Sequence, residues 1–368
     1  MSDHTSTTSP EHTERMLRPN VREMSGYVPG EQPQGGKFIK LNTNENPYPA
    51  SPSIRGALEH AIGSLQRYPD PLATTFRMQA AEVYGVSPDA ILAGNGSDDL
   101  LTILTRAFVS HEGALWYPRP SYVLYRTLAQ LQGANYHEFP FADDWSLPPL
   151  DLEGIPAPQL VFLPNPNSPS GTTVSREQIV AWAEQLPCPL VVDEAYADFA
   201  DANAIDLVAS HPNLIVTRTL SKSYGLAGLR FGFLIAQPEI VAQLRKVKDS
   251  YNCDTLSIAA ASAAIADQAW FRANRASILA TRQRLTEALQ GLGFNVVPSQ
   301  ANFVWCSHRS ASSRELYEQL KANQILVRYM NYDGWGEGLR ISVGTDEQID
   351  ALLVILEHLL KQLLNANT

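Results

Sequence analysis

The chain is predicted to fold as an α/β protein, with a large domain on a mostly parallel sheet between helices and a smaller α+β domain after it. Three observations lead there. The 368 residues correspond to about two domains. Apolar residues make up 44% and charged residues 18%, an ordinary globular balance. Between residues 91 and 235, short apolar runs rich in β-branched side chains alternate with helical patterns, as parallel strands covered on both faces do.

Residues 1–20 are rich in Ser, Thr and charge and lack an apolar signal core, so they read as a disordered soluble tail. Residues 21–49 carry Gly, Pro and Asn throughout and read as an arm lying over the rest. The large domain is assigned to residues 50–250. Its strands are expected at Ile91–Ala93, Ala114–Tyr117, Leu160–Leu163, Leu190–Asp193, Leu214–Thr217 and Phe231–Ile235. Helical patterns lie between most of them, at Asp98–Phe108, Ser121–Leu131 and Ser175–Gln185. From about Ile240 long helices dominate: Ile240–Lys248, Ser257–Ala266 and Trp270–Leu292. Short strands near Phe303–Cys306, Ile325–Arg328 and Leu339–Val343 follow, then an amphipathic helix Asp346–Leu364. Residues 251–368 are assigned to the smaller domain.

Composition narrows the function. The net charge of −10 disfavours nucleic-acid binding, which needs a basic face. The densest apolar stretch, Ala351 to Leu356, is far short of the ~20 residues of a membrane span. Cys188, Cys253 and Cys306 are far apart, with no metal-ligand spacing. No metal is expected, and reduced thiols place the chain in the cytoplasm. No GxGxxG follows the first strand, which argues against a nicotinamide-binding fold.

In such sheets ligands sit at the carboxyl ends of the strands, and four loops there carry chemistry. After Leu214–Thr217 comes Thr219-Leu-Ser-Lys222-Ser-Tyr-Gly-Leu-Ala-Gly-Leu-Arg230. A lysine desolvated behind a buried strand is a nucleophile or base. Thr219, Ser221 and Arg230 form a plausible phosphate cup. Asp193 ends an apolar strand, where a carboxylate needs a partner, and Tyr196 follows in Asp193-Glu-Ala-Tyr196. In Gly94-Asn-Gly96-Ser97-Asp98-Asp99, Ser97 is an expected N-cap and the helix it opens is an anion site. Asn165-Pro-Asn167-Ser168-Pro-Ser-Gly171 has the composition of a turn.

The Lys222-to-Arg230 segment resembles the cofactor-lysine motif of fold-type I aminotransferases, the pyridoxal 5′-phosphate (PLP)-dependent transferases. The likeness covers nearly the whole chain after residue 20. Within that fold type the chain is most similar to the histidinol-phosphate aminotransferase family. The Asn42-Thr-Asn44-Glu45-Asn46-Pro47, Arg67-Tyr68-Pro69 and Leu339-Arg340-Ile-Ser-Val-Gly344 segments carry that likeness, with Arg328 and Asn302.

The resemblance implies PLP as cofactor, with Lys222 carrying it and moving the proton. It implies that Asp193 pairs with the ring nitrogen and that Tyr196 donates to the ring oxygen. Gly96, Ser97, Asp98, Thr219, Ser221 and Arg230 would bind the cofactor phosphate, and Tyr122 would stack on the ring. The family pattern has Asn where this chain has Ser168, so the ring-oxygen contact is assigned to Asn167, with Ser168 left open. Tyr68 would reach a partner's cofactor phosphate in a homodimer. Tyr27, Asn44, Arg328 and Arg340 are the expected substrate contacts; two convergent guanidinium groups suit a phosphate and also the dicarboxylate of glutamate. The implied reaction is transamination between L-histidinol phosphate and imidazole acetol phosphate with glutamate and 2-oxoglutarate, in histidine biosynthesis. The alternatives on the same scaffold are an aromatic amino acid aminotransferase and a threonine-phosphate decarboxylase-like enzyme.

Overall fold

The computed structural model describes residues 14, 16–26, 30–33 and 38–366. A short helix, Pro19–Glu23, straddles the expected border between tail and arm at residue 20. Pro19 starts it, and the Asn20 side chain donates to the Gln130 carbonyl at 2.6 Å. The arm then gives one short strand, β1 (Ile39–Lys40).

The large sheet is built from β2 (Ile91–Gly94), β3 (Ala114–Arg119), β4 (Asn135–Pro140), β5 (Leu160–Pro164), β6 (Leu190–Asp193), β7 (Leu214–Thr219) and β8 (Gly232–Ile235). Their order is β2-β8-β7-β6-β5-β3-β4. β4, β3, β5, β6 and β7 run parallel, and β8 is antiparallel to both its neighbours. The fold is the expected mostly parallel α/β arrangement. β5, β6, β7 and β8 are buried at every position, which is why the runs Leu160–Leu163, Leu190–Val192, Leu214–Val216 and Phe233–Ile235 are continuously apolar rather than alternating. The edge strand β4 was not expected; its sequence NYHEFP is polar and largely exposed, as an edge allows.

The helices match their patterns with small shifts. The expected helix Ser121–Leu131 spans Leu124–Gln132 and stops at Gly133, whose φ of 72° is the left-handed cap that glycine favours. Ser175 caps Arg176–Gln185 through a reciprocal capping box with Gln178.

The second sheet contains β9 (Phe294–Val297) and β10 (Phe303–His308). After β11 (Ile325–Leu326) come β12 (Arg328–Tyr332) and β13 (Gly336–Ser342), and the sheet order is β12-β13-β10-β9. The single strand expected at Ile325–Arg328 is therefore divided: β11 pairs in parallel with β1, and Arg328 begins β12. Helices Gln268–Gly291, Ser313–Ala322 and Asp346–Ala366 pack on this sheet around Leu285, Leu316, Ile341 and Leu352. Helix Thr255–Ala266 packs on helices Ser53–Ile62 and Thr74–Tyr84, its Ala260 and Ile265 in the core that holds Phe76 of the second of these helices and Phe233 of β8. Among the described residues no helix is long and apolar enough to cross a membrane.

Candidate active site

β2, β3, β5, β6 and β7 all present their carboxyl ends to one cavity of about 210 Å³, closed from the other side by β12, β13 and the arm. Asn44, Ser97, Asp98, Tyr122, Asp193, Tyr196, Thr219, Ser221, Lys222, Arg230, Arg328 and Arg340 line it.

One end is cationic and rich in donors. Ser97 is the first residue of helix Ser97–Phe108, so the first-turn N–H groups lie at the cavity, where a helix end attracts anions. Ser97 is not the N-cap that the sequence suggested. That position is Gly96, at φ 84°, which L side chains rarely adopt. Across from it Arg230 donates from Nη1 to Ser221 Oγ at 3.3 Å and from Nη2 to Asp98 Oδ2 at 3.2 Å. The Thr219 and Ser221 hydroxyls are 3.0 Å apart. Tyr122 donates to Asp98 Oδ1 at 3.1 Å, which fixes its ring at the cavity wall.

The closeness of this cup depends on Gly232. A Cβ there would lie 2.7 Å from the Ser97 nitrogen and 2.8 Å from the Arg218 carbonyl oxygen. Both are backbone atoms and cannot yield cheaply. Gly232→Ala is expected to cost about 1–3 kcal/mol of stability by overpacking. It should also displace the helix end, so that inorganic phosphate binds more weakly in an equilibrium titration; unchanged phosphate affinity would show that the cup does not depend on this contact.

The other end holds a buried carboxylate. Asp193 is 5% exposed; it accepts from the Tyr125 hydroxyl at 2.7 Å and from the Thr217 hydroxyl at 3.2 Å. Burial pushes its carboxyl above the usual range, against those two hydrogen bonds. Tyr125 was not singled out from the sequence. It is the second residue of helix Leu124–Gln132, just after Tyr122 and the N-cap Val123, a place that a core aromatic also takes.

Lys222 lines the same cavity. Its Nζ donates to the Thr43 carbonyl at 3.2 Å and sits 5.8 Å from the centre of the Tyr196 ring. The Tyr196 hydroxyl accepts from Asn44 Nδ2 at 2.9 Å. Asn44 has a φ of 55°, a conformation Asn tolerates better than most residues. It is held there by Ser342 Oγ on its N–H and by Asn302 Nδ2 on its carbonyl.

Arg328 and Arg340 are directly opposite on the antiparallel pair β12 and β13, so both side chains belong to one face. Arg340 donates to Ser168 Oγ at 2.9 Å and to the Asn42 carbonyl at 3.0 Å. Ser168 therefore faces the cavity. Asn167 is buried just behind, its Nδ2 bonded to the Pro120 carbonyl at 3.1 Å and to Ser170 Oγ at 2.9 Å, while its Oδ1 is buried without a partner.

One expected site residue lies elsewhere among the described residues. Tyr68 is 81% exposed and stacks on Tyr251 at 4.5 Å, away from the cavity of its own chain. Tyr27 falls outside the described residues. The cavity also recruits Thr43, Ser121, Met330 and Tyr332, which no motif marked.

A lysine amine, a buried carboxylate and an anion cup around one cavity can bind a phosphorylated, ring-shaped cofactor and move protons beside it. Comparison with known proteins agrees. The family model for aminotransferase class I and II matches residues 36–356. A histidinol-phosphate aminotransferase from Rhodopirellula baltica is 57% identical over 348 residues, covering 94% of this chain and 96% of that protein. The chain belongs to the class I and II aminotransferases, in the histidinol-phosphate aminotransferase family. Histidinol-phosphate aminotransferase 1 from Trichormus variabilis is 45% identical to this aminotransferase, over 94% of the chain and 99% of its own length. A crystal structure of the Sinorhizobium meliloti histidinol-phosphate aminotransferase in complex with pyridoxal-5′-phosphate has a TM-score of 0.83 at 28% identity. That match covers 94% of this aminotransferase and 98% of the other chain.

Proposed function

We propose that this aminotransferase exchanges an amino group between L-histidinol phosphate and 2-oxoglutarate, the products being imidazole acetol phosphate and glutamate, with pyridoxal 5′-phosphate as cofactor. In histidine biosynthesis the reaction runs toward histidinol phosphate. The observation that carries this reading is that one cavity is lined by the Lys222 amine, an anion cup and the opposed Arg328 and Arg340.

The residues present fit the cofactor. Asp193 is a buried carboxylate whose partners are two neutral hydroxyls; a protonated ring nitrogen supplies the opposite charge it lacks. Thr219, Ser221, Arg230 and the backbone from Gly96 to Asp98 would hold the phosphate, and the missing Cβ of Gly232 lets them close. Pyridoxal 5′-phosphate supplies an electrophilic carbonyl and a ring that accepts electrons from the reacting carbon.

The protein does the rest. Lys222 is the base that takes the proton from the substrate carbon bearing the amine and returns it. Asp193 keeps the ring nitrogen protonated. Tyr196, held by Asn44, serves the ring oxygen, and Tyr122 covers the ring face; the further ring-oxygen contact expected from Asn167 stays open against Ser168, which lines the cavity. Arg328 and Arg340 bind the substrate phosphate in one half-reaction and the carboxylates of glutamate in the other. Tyr27 is a further substrate contact in this reading.

Single-turnover titration of the cofactor-loaded enzyme, with histidinol phosphate and phenylalanine in parallel, tests the assignment. Histidinol phosphate should bleach the visible absorbance far more efficiently. Preference for phenylalanine would make the enzyme an aromatic aminotransferase, and carbon dioxide release from O-phosphothreonine would make it a decarboxylase.

The enzyme works as a homodimer in this reading, with Tyr68 completing the partner's phosphate cup. Exposed Ile62, Leu65, Tyr68 and Tyr251 supply the apolar surface for it. Mixing Lys222→Ala chains with Tyr68→Phe chains should regenerate one intact site per hybrid dimer and raise activity above either parent variant. Activity no higher than that of Tyr68→Phe alone would place Tyr68 in its own chain's function or in none. The division into a large domain, residues 50–250, and a small domain, residues 251–368, is part of the same proposal. Free, buried cysteines suit a reducing compartment, and we assign the enzyme to the cytoplasm.

A further inference from the structure

Beneath the cavity lies a set of charged side chains that takes no part in lining it. Ser223, the residue after Lys222, donates from Oγ to Asp198 Oδ2. Asp198 Oδ1 accepts from Arg218 Nη2 at 2.5 Å, and Arg218 Nη1 donates to Glu194 Oε2 at 2.8 Å. Glu194 Oε1 accepts from the Ala204 N–H. Glu194, Arg218 and Ser223 are all nearly fully buried, at 2%, 4% and 4% exposure. The Arg218 guanidinium also lies 5.4 Å from the centre of the Tyr84 ring. Arg275 secures the Asp198 carbonyl from the helix side.

Strand alternation explains the placement. On β7, Thr217 bonds Asp193 and Thr219 lines the cavity, so Arg218 between them faces the opposite side. At the end of β6 the same alternation puts Asp193 toward the cavity and Glu194 away from it. One guanidinium therefore ties the segment that carries Asp193 and Tyr196 to the segment that carries Lys222. A buried cation of this kind persists only with paired acceptors. Its fork reaches two carboxylates at once, which an ammonium does not.

We propose that Arg218 is a positioning residue: through Glu194 on one side and Asp198 and Ser223 on the other, it fixes the separation of the Lys222 amine from the Asp193 carboxylate across the cavity. The inference rests on the reading that both groups act on one bound cofactor. Reacting groups displaced by about an ångström lose on the order of 10- to 100-fold in rate.

The gentlest cut is Ser223→Ala, which releases the Lys222 segment and leaves the charges paired. With the full-length, PLP-loaded enzyme, the variant should unfold near the parent temperature. The pH midpoint of its visible absorbance should shift, and kcat should fall on the order of tenfold with KM unchanged. Ser223→Thr keeps the hydroxyl and should restore both values. Arg218→Lys should move the absorbance midpoint in the same direction and further. If Arg218→Lys does not fold, Ser223→Ala decides alone. A Ser223→Ala enzyme with the parent's absorbance midpoint and kcat overturns the positioning role, whatever its stability. A parent that takes up no pyridoxal 5′-phosphate overturns the proposed function, and the inference with it.

Discussion

Lys222→Ala should lower turnover by on the order of 10⁴-fold, the loss expected when the group that moves the proton is removed. The cavity offers no substitute. Its other cations among the described residues are Arg230, Arg328 and Arg340, and a guanidinium stays protonated at any working pH, so it cannot serve as base. Tyr196 is held by Asn44 and sits beside the amine rather than in its place. Small exogenous amines should restore part of the rate, because the anion cup and Asp193 are untouched. Stopped-flow measurement of the first half-reaction with histidinol phosphate provides the check. Turnover within tenfold of the parent would remove Lys222 from the chemistry.

Asp193→Asn is the second large effect. The substitution keeps the shape and the Tyr125 and Thr217 neighbours but deletes the charge that we propose faces the ring nitrogen. Loss of one preorganised electrostatic partner corresponds to about 10²–10³-fold in kcat. A further readout needs no cofactor. Burial holds the Asp193 proton in the folded chain at pH values where the unfolded chain, with its ordinary value of 3.8, has released it. The folded state then binds more protons than the unfolded one. The stability contribution is therefore complete below the ordinary carboxylate value and is lost as pH rises through the raised one. Denaturant unfolding of the cofactor-free protein across that window should show a decline that the Asn variant lacks. Identical pH profiles for parent and variant would mean that the carboxyl ionises in the folded chain as it does in the unfolded one. Glu194, whose carboxyl burial lifts to about 7, adds a decline of the same sign to both proteins, so the difference between them isolates Asp193.

The parts of this molecule that were legible in its sequence are those where one physical demand dominates. β5 and β6 and the first half of β7 are buried on both faces, and a strand so placed favours apolar residues wherever no buried partner is supplied. Asp193 at the end of such a run, and Lys222 just past the next, violate that demand and so announced themselves. The edge strand β4 answers to weaker constraints and reads as polar loop. The antiparallel direction of β8 leaves no mark in its composition, because it is buried like its parallel neighbours. In the site, Tyr125 was hidden because its ring packs in the core like any other aromatic while only its hydroxyl serves Asp193. Thr43 contributes a carbonyl oxygen to Lys222, and backbone atoms carry no side-chain signal. The choice between Asn167 and Ser168 turns on which of two adjacent residues faces the cavity, a matter of local backbone turn. Ser168 faces it and meets Arg340, while Asn167 lies buried against Pro120.

The cavity is closed by segments from opposite ends of the chain. Lys222 is held by a carbonyl 179 positions away and Arg340 by one 298 positions away, both in the arm next to β1, and β1 itself pairs only with β11. During synthesis the arm leaves the ribosome well before β11 does and waits for a strand partner that follows the whole large sheet. The seven-stranded sheet and its anion cup can form earlier from residues 91–235. Closing so long a loop is entropically slow. Maturation therefore has an order: a cup able to take a phosphate comes first, and the cover over the lysine comes later.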